Sequence, residues 1–457
     1  MSWGFWISFL VLLSCLGLVV ARPGRMPIAL PVVLGAGAVV ATGLEPVARV
    51  LGLWGLTWDA VATLVGLMLL SAALDRARFF AWCAAWIRKV SGHRAALLWW
   101  GLMLLACVTA TILANDGAML ILVPLYSEIA RGAGLERKQA LAFLIPAGFL
   151  IDVASCTFST SNLTNLMVAD YFHLGFLTYA RLMILPSLLV VGGALPLLWF
   201  VFRRQMPRTL LQDQLAEFAA GRPAPSTPDR AEPGPRALAP ERDAAVWHGE
   251  AGLVAGPVGV DPVMFVASWA GLAALVAGLA VSHLMAWPVS AVVGVVAISL
   301  LALALVRGFV KPQELPRLAP WSIAFFALGM FVLVDSVARN GGTELLVRSW
   351  AGGGPWRIGA MLSLLASGLD NLPALLLGLL GFGRLHGASP AAMAASVVAV
   401  DVGCKLTPYG SLATLLWLRL LADRGWRVRW RDYLPYGLAL TPGLVALGLA
   451  GALLAGR

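Results

Sequence analysis

Apolar runs of roughly membrane-spanning length dominate the chain, and polar residues gather in the short intervals between them. A helix that crosses a bilayer needs about 20 consecutive apolar residues. Runs of that kind fall at about 2–21, 26–48, 58–75, 139–170 and 178–202, and again at 262–285, 288–307, 320–338, 391–421 and 434–455. They predict ten crossings, five in each half. Two further apolar stretches, about 95–131 and 355–383, are interrupted in the middle. The first break holds Thr109, Thr111, Asn115, Asp116 and Gly117; the second holds Ser367, Asp370, Asn371 and Pro373. Unsatisfied polar groups are costly in hydrocarbon, so both stretches read as re-entrant hairpins. Two ordinary spans each are the alternative that hydropathy leaves open. Residues 76–94 alternate basic and aromatic side chains (Arg76, Arg78, Phe79, Phe80, Trp82, Trp86, Arg88, Lys89) at helical spacing, which predicts a helix lying in the interface.

Composition agrees. Of 457 residues, 60% are hydrophobic and only 12% charged, whereas a soluble domain carries about 25% charged residues. Soluble nucleotide-binding sheets, disulfide scaffolds and disordered tails are excluded. The balance of +10 would suggest nucleic acid in a soluble protein. Here most arginines and lysines collect on one side of the predicted topology, among them Arg76, Arg88, Arg131, Arg137, Arg203, Arg307, Arg317, Arg424 and Arg431, against Arg49, Arg181, Arg339, Arg348 and Arg357 on the other. The positive-inside rule makes the first side cytoplasmic, with both termini outside, the first hairpin inside and the second outside. The partner implied is a lipid bilayer, not nucleic acid, and no cofactor motif is present. Five cysteines give no disulfide framework.

Residues 207–258, with Pro223, Pro225, Pro228, Pro233, Pro235 and Pro240 among mixed charges, predict a cytoplasmic linker. Its first part, Leu210 to Ala220, reads as a short amphipathic helix. The linker separates a first membrane repeat, 1–206, from a second, 259–457. The halves share spacing. Asp152-Val153 precedes Ser161-Asn162-Leu163 by nine positions, and Asp401-Val402 precedes Gly410-Ser411-Leu412 by the same nine. Trp58 precedes Gly66-Leu67-Met68 by eight, and Trp321 precedes Gly329-Met330 by eight. Five crossings is an odd number, so the repeats are inverted. The predicted fold class is an all-α polytopic membrane protein of two inverted-topology repeats, each of five crossings with one re-entrant hairpin and one broken helix.

Paired interrupted segments in inverted repeats point to a secondary transporter with its solute near the midplane. A helix broken at depth offers backbone N–H and C=O groups and two half-helix dipoles to a small polar solute. The breaks are expected within Ser155 to Asn162 and within Thr407 to Ser411, each facing the tip of its own hairpin. Five ionisable groups fall inside membrane segments: Asp116, Asp152, Asp370, Asp401 and Lys405. They are the candidates for proton coupling, through Asp152, Asp401 or both. Lys405 stands four positions after Asp401 and pairs with it if the helix is intact there; a permanent structural ion pair is the plainer reading.

The segments Leu113-Ala114-Asn115-Asp116-Gly117-Ala118, Ala147-Gly148-Phe149 with Asp152, Ser161-Asn162-Leu163, Ala169-Asp170, and Lys405-Leu406-Thr407-Pro408 with Gly410-Ser411-Leu412-Ala413-Thr414-Leu415 resemble the arsenite efflux permease family of the ion transporter superfamily. The likeness runs over almost the whole chain except the linker. It implies arsenite or antimonite extrusion from the bacterial inner membrane by alternating access, driven by protons, with a soluble ATPase subunit and a homodimer as candidate partners. Trivalent arsenic at neutral pH is an uncharged trihydroxide, which suits amides and hydroxyls: Asn115, Ser161, Asn162, Thr164, Asn371, Ser411 and Thr414 are the candidate substrate contacts. Hairpin-tip turns and back-bonding to helix carbonyls are their plain alternatives. Cys156 and Cys404 are candidate thiol contacts, with small apolar filler as the alternative. The sequence departs from the resemblance at Asp370-Asn371, where two asparagines are usual, and at Cys156 and Cys404, the latter where proline is expected. A sodium- or proton-coupled carboxylate carrier or a sodium/proton antiporter is the competing transporter class. A membrane-embedded enzyme is disfavoured because His93, His173, His248, His283 and His386 are scattered.

Overall fold

The computed structural model describes residues 2–23, 26–210, 260–350, 353–385 and 388–456, and these fold as helices. The first half contains α1 (Trp3–Ala21), α2 (Ala29–Ala41), α3 (Val47–Arg76), α4 (Phe79–Ser91), α5 (Ala95–Ile112), α6 (Asn115–Gly132), α7 (Arg137–Ala154), α8 (Leu163–Tyr171) and α9 (Phe176–Phe202). The second contains α10 (Pro262–Met285), α11 (Val289–Val306), α12 (Trp321–Val337), α13 (Thr343–Trp350), α14 (Pro355–Leu369), α15 (Asn371–Arg384), α16 (Pro390–Asp401), α17 (Leu412–Asp423) and α18 (Trp430–Ala455). Apart from a four-residue turn at Leu315–Leu318, the order of long, short and interrupted helices runs the same way twice. The predicted helix at Leu210 to Ala220 lies almost wholly outside the described residues, as does most of the predicted linker.

Local chemistry sets the boundaries. Ser2 and Asp261 open α1 and α10 by accepting from the backbone N–H of Phe5 and Met264, and Ser389, followed by Pro390, opens α16 in the same way. Where 26–48 predicts one long span, α2 stops at Ala41, because Gly43 turns the chain at φ +73°. Pro46 then starts α3 at Val47 rather than 58, with its fixed φ just ahead of the first turn. Among the described residues nine helical stretches are long and apolar enough to cross a membrane. That tally differs from the ten predicted crossings because it counts uninterrupted helices. It includes Ala95–Ile112, read from sequence as a hairpin arm, and omits the 13-residue α2 and the interrupted α16 and α17.

The helices sort into an outer and an inner set. α1, α9, α10 and α11 turn Leu10, Leu188, Val266 and Val306 outward, as lipid-facing helices do. α6, α7 and α16 are buried along nearly their whole length. Hydrophobic chains lie on all sides of them, so they form the centre of the molecule. The sequence reading passed over two buried carboxylates: Asp335 of α12 is 2% exposed and receives Arg49 at 3.1 and 3.3 Å, and Glu45, just before α3, is fully buried and receives Arg339 at 3.3 Å.

Candidate functional site

Both helices predicted to break are broken. α7 ends at Ala154, the chain makes two short 3₁₀ turns, and Asn162 is extended (φ −150°, ψ 150°) before α8 begins. α16 ends at Asp401, a 3₁₀ turn covers Gly403–Leu406, and Thr407 is extended (φ −126°, ψ 155°), as a residue before proline prefers. Ser411 is extended too, and α17 starts at Leu412.

Each break is tied to the hairpin of its own half by the same pair of bonds. In the first, the Thr111 hydroxyl donates to Ala154 O at 3.2 Å and the Ser161 hydroxyl donates back to Thr111 O at 2.5 Å. In the second, the Ser367 hydroxyl donates to Gly403 O at 2.9 Å and Thr407 donates back to Ser367 O at 2.6 Å. Asn165 spans the first gap, its amide donating to Ser155 O and Phe158 O at 2.7 and 3.0 Å. Buried backbone carbonyls that helix interruption frees are thereby satisfied.

The hairpin tips differ. Leu113 and Ala114 connect α5 to α6, whereas Asp370 alone connects α14 to α15, at φ 92° and ψ 151°. That is a region essentially reserved for glycine, and an aspartate held there stores of order 1–3 kcal/mol. Its carboxylate accepts from Leu372 N–H at 3.2 Å.

A cavity of about 30 Å³ lies where the tips and breaks converge. It exceeds the roughly 10–15 Å³ that one water needs and falls far below the roughly 300–1,000 Å³ of drug-sized pockets. Four helix starts line it: Asn115 and Asp116 of α6, Asn162 to Thr164 at α8, Asn371 and Leu372 of α15, and Ser411 to Ala413 at α17. Asp370 completes the polar wall, and Ile323, Phe326 and Ala327 of α12 close it. Among the described residues no arginine or lysine lines it. Each helix start contributes about +0.5 of an elementary charge, so four of them and the carboxylates of Asp116 and Asp370 nearly cancel.

Behind this cavity lie the remaining charges. Asp152 is 1% exposed and fully engaged: Asn115 donates to one oxygen at 3.0 Å, and Thr414 at 3.0 Å and Lys405 to the other. Lys405 thus pairs across the molecule with Asp152, which corrects the expected Asp401–Lys405 pairing. The α-helix stops at Asp401 and continues as a 3₁₀ turn, so residues four apart no longer share a face. Asp401, also 1% exposed, receives Asn162 at 3.0 Å and Thr164 at 2.8 Å on one oxygen. Among the described residues its other oxygen has no hydrogen-bond partner.

Five of the seven sequence-derived substrate candidates meet at one place. Asn115, Asn162, Thr164, Asn371 and Ser411 line the cavity; Ser161 is bonded to the hairpin instead, and Thr414 is turned away to Lys405 and Asp152. Cys156 and Cys404 do not line it: their thiols point to the carbonyls of Val153 and Asp401. The apolar wall of Ile323, Phe326 and Ala327 was missed. The run at 320–338 predicts their helix, but nothing polar marks those positions as facing a cavity rather than lipid.

The citrate transporter family profile matches residues 16–400. The arsenical pump membrane protein of Escherichia coli is 31% identical over 443 residues, 95% of each chain. The chain belongs to the arsenical pump membrane protein family. A second such protein, from Escherichia coli strain K12, is 30% identical over 95% of each chain. The putative arsenical pump membrane protein of Bacillus subtilis is 25% identical over 92% of this chain and 93% of its own. Family membership makes the helical bundle a multi-pass membrane transporter, and the residues that match over this length include both breaks and both hairpins.

Proposed function

We propose that the protein exports arsenite and antimonite across the bacterial inner membrane in exchange for protons, by alternating access of two inverted repeats of which 1–206 and 259–457 are the halves. The observation that carries the reading is the cavity wall: amides, hydroxyls and helix starts, two carboxylates, and among the described residues no cationic side chain. A neutral trihydroxide donates to Asp116 and Asp370 and accepts from the amides of Asn115, Asn162 and Asn371. A citrate anion would bring about three negative charges against a wall that is close to neutral, with carboxylates among its lining; desolvating it there is strongly unfavourable. The relatives named as arsenical pumps support the same choice. Asp152, Asp401 or both carry the exchanged proton, with Lys405 paired to Asp152. A soluble ATPase subunit and a homodimer remain proposals of family likeness, without a surface argument.

Everted membrane vesicles test this directly. Arsenite uptake that collapses when the proton gradient is dissipated is expected, and Asn371→Ala lowers its apparent affinity about fivefold, the equivalent of about one net hydrogen bond. Citrate uptake without arsenite uptake would overturn the reading.

A further inference from the structure

The two buried aspartates differ in one respect that the repeat itself explains. Position 405 follows Asp401 by four residues (405 − 401 = 4), and Cys156 follows Asp152 by the same four (156 − 152 = 4). Lys405 crosses to Asp152, and the reciprocal position, which would send a cation to Asp401, holds a thiol instead. Asp401 is therefore left with Asn162 and Thr164 on one oxygen and nothing on the other.

A second unpartnered group lies near it. Tyr179 of α9 is fully buried, and its hydroxyl makes no hydrogen bond among the described residues. α9 packs on α16 and on the 3₁₀ turn at Ser155–Thr157. Asp401 and Cys156 are the ionisable neighbours of the phenol. The other charged or titratable groups around Asp401 are Asp152 from α7, Cys156 from the first break, and Cys404 and Lys405 on its own chain segment. Lys405 is committed to Asp152 and Thr414. Tyr179 stands one turn into α9, just past Gly175, where a methyl group would collide with the ring of His283. One helical turn is about 5.4 Å, so the phenol lies about one turn inside the end of α9, on a helix packed against that of Asp401, and Tyr179 is not among the residues that line the solute cavity. By the distribution of arginines, that end is the outer face.

We infer that Asp401 is the carboxylate that takes up the exchanged proton, and that Tyr179 relays it from the outer end of α9, while Asp152 stays paired with Lys405. The inference rests on the proton-exchange reading above and narrows it to one carboxylate and one phenol. A buried carboxylate with one free oxygen and no cation accepts a proton by satisfying that oxygen. One that holds a lysine and two neutral donors would leave the lysine unpaired if it did.

The test combines a readout that needs no substrate with one that does. Infrared difference spectra of the purified full chain, between acid and neutral pH, should show a protonated-carboxyl stretch that Asp401→Asn removes, Asp152→Asn retains and Tyr179→Phe shifts. A band that Asp401→Asn leaves intact overturns the assignment. In everted vesicles, Tyr179→Phe, which deletes one hydroxyl and keeps the ring, should slow proton-driven arsenite uptake about tenfold or more while arsenite–arsenite exchange stays at the wild-type rate. Equal slowing of both, or of neither, overturns the relay. Vesicles of the wild type that move no arsenite, with the infrared pattern intact, would sink the substrate reading and leave the proton site standing.

Discussion

The two broken helices share a scaffold and differ in charge. Each carries an aspartate in its last turn, each gap is held to its hairpin by a reciprocal pair of hydroxyl bonds, and each aspartate is gripped by a threonine from the other half, Thr414 on Asp152 and Thr164 on Asp401. The exchange of threonines couples the halves at the two breaks. On this common frame, Asp152 is a closed ion pair and Asp401 is an open carboxylate. A repeat copies backbone geometry readily, because geometry follows from patterns spread over many residues. Charge follows from single side chains, so one lysine at 405 and one cysteine at 156 suffice to give two equivalent positions different chemistry.

The sharpest way to break this comparison is to remove the lysine. Lys405→Met leaves Asp152 buried without its cation, and breaking a buried pair from one side costs about 3–5 kcal/mol. The expected result is a large drop in the thermal midpoint of the detergent-solubilised protein and little monodisperse material. Adding Asp152→Asn to the same chain should restore most of the loss, because the stranded charge is gone. A Lys405→Met protein as stable as the wild type would show that Asp152 and Asp401 are alike after all.

The gaps themselves are the next largest contrast. Gly410 and Ser161 occupy equivalent positions, and a methyl group on Gly410 would lie 2.1 Å from the backbone oxygen of Cys404. Backbone cannot swing aside as a side chain does, so Gly410→Ala should destabilise by about 1–3 kcal/mol. Ser161→Ala removes only the bond to Thr111 O and should lose about 1 kcal/mol. Thermal melts of the two variants side by side check the order, and an inverted order would mean that the second gap is the looser one.

Much of this arrangement was legible in the sequence, for a physical reason. Polar residues in hydrocarbon stand out against an apolar background, so Asn115, Asp116, Asp370 and Asn371 marked the tips, and Pro408 and Gly410 marked a break. Three things were not legible. The start of α3 at Val47 was hidden because 47–57 is only moderately apolar and carries Arg49. The wall of Ile323, Phe326 and Ala327 was hidden because apolar residues facing a cavity look like those facing lipid. The partner of Lys405 was misassigned because a spacing of four implies a pair only inside an α-helix, and whether the helix survives past Asp401 is decided by tertiary packing around Gly403, whose hydrogen atoms face Ser363 at a distance that admits no side chain.

The smallest expected effect concerns the two cysteines, and it bears on the comparison because they too stand near equivalent places. Cys156 donates to Val153 O at 3.1 Å and lies 3.3 Å from the Ser187 hydroxyl; Cys404 donates to Asp401 O at 3.3 Å. Both thiols thus serve the backbone one turn behind them, and a serine hydroxyl makes the same bond at a shorter distance. Were either sulfur an arsenic ligand, replacing it would remove a covalent partner and transport would fall by orders of magnitude. From the geometry, a Cys156→Ser, Cys404→Ser protein should change the transport rate by no more than about twofold, or about 0.4 kcal/mol in barrier height. Arsenite uptake in everted vesicles at matched protein levels measures it. A loss larger than tenfold would move the substrate out of the cavity between the helix starts and into the space behind the breaks, where Asp401 and Tyr179 lie.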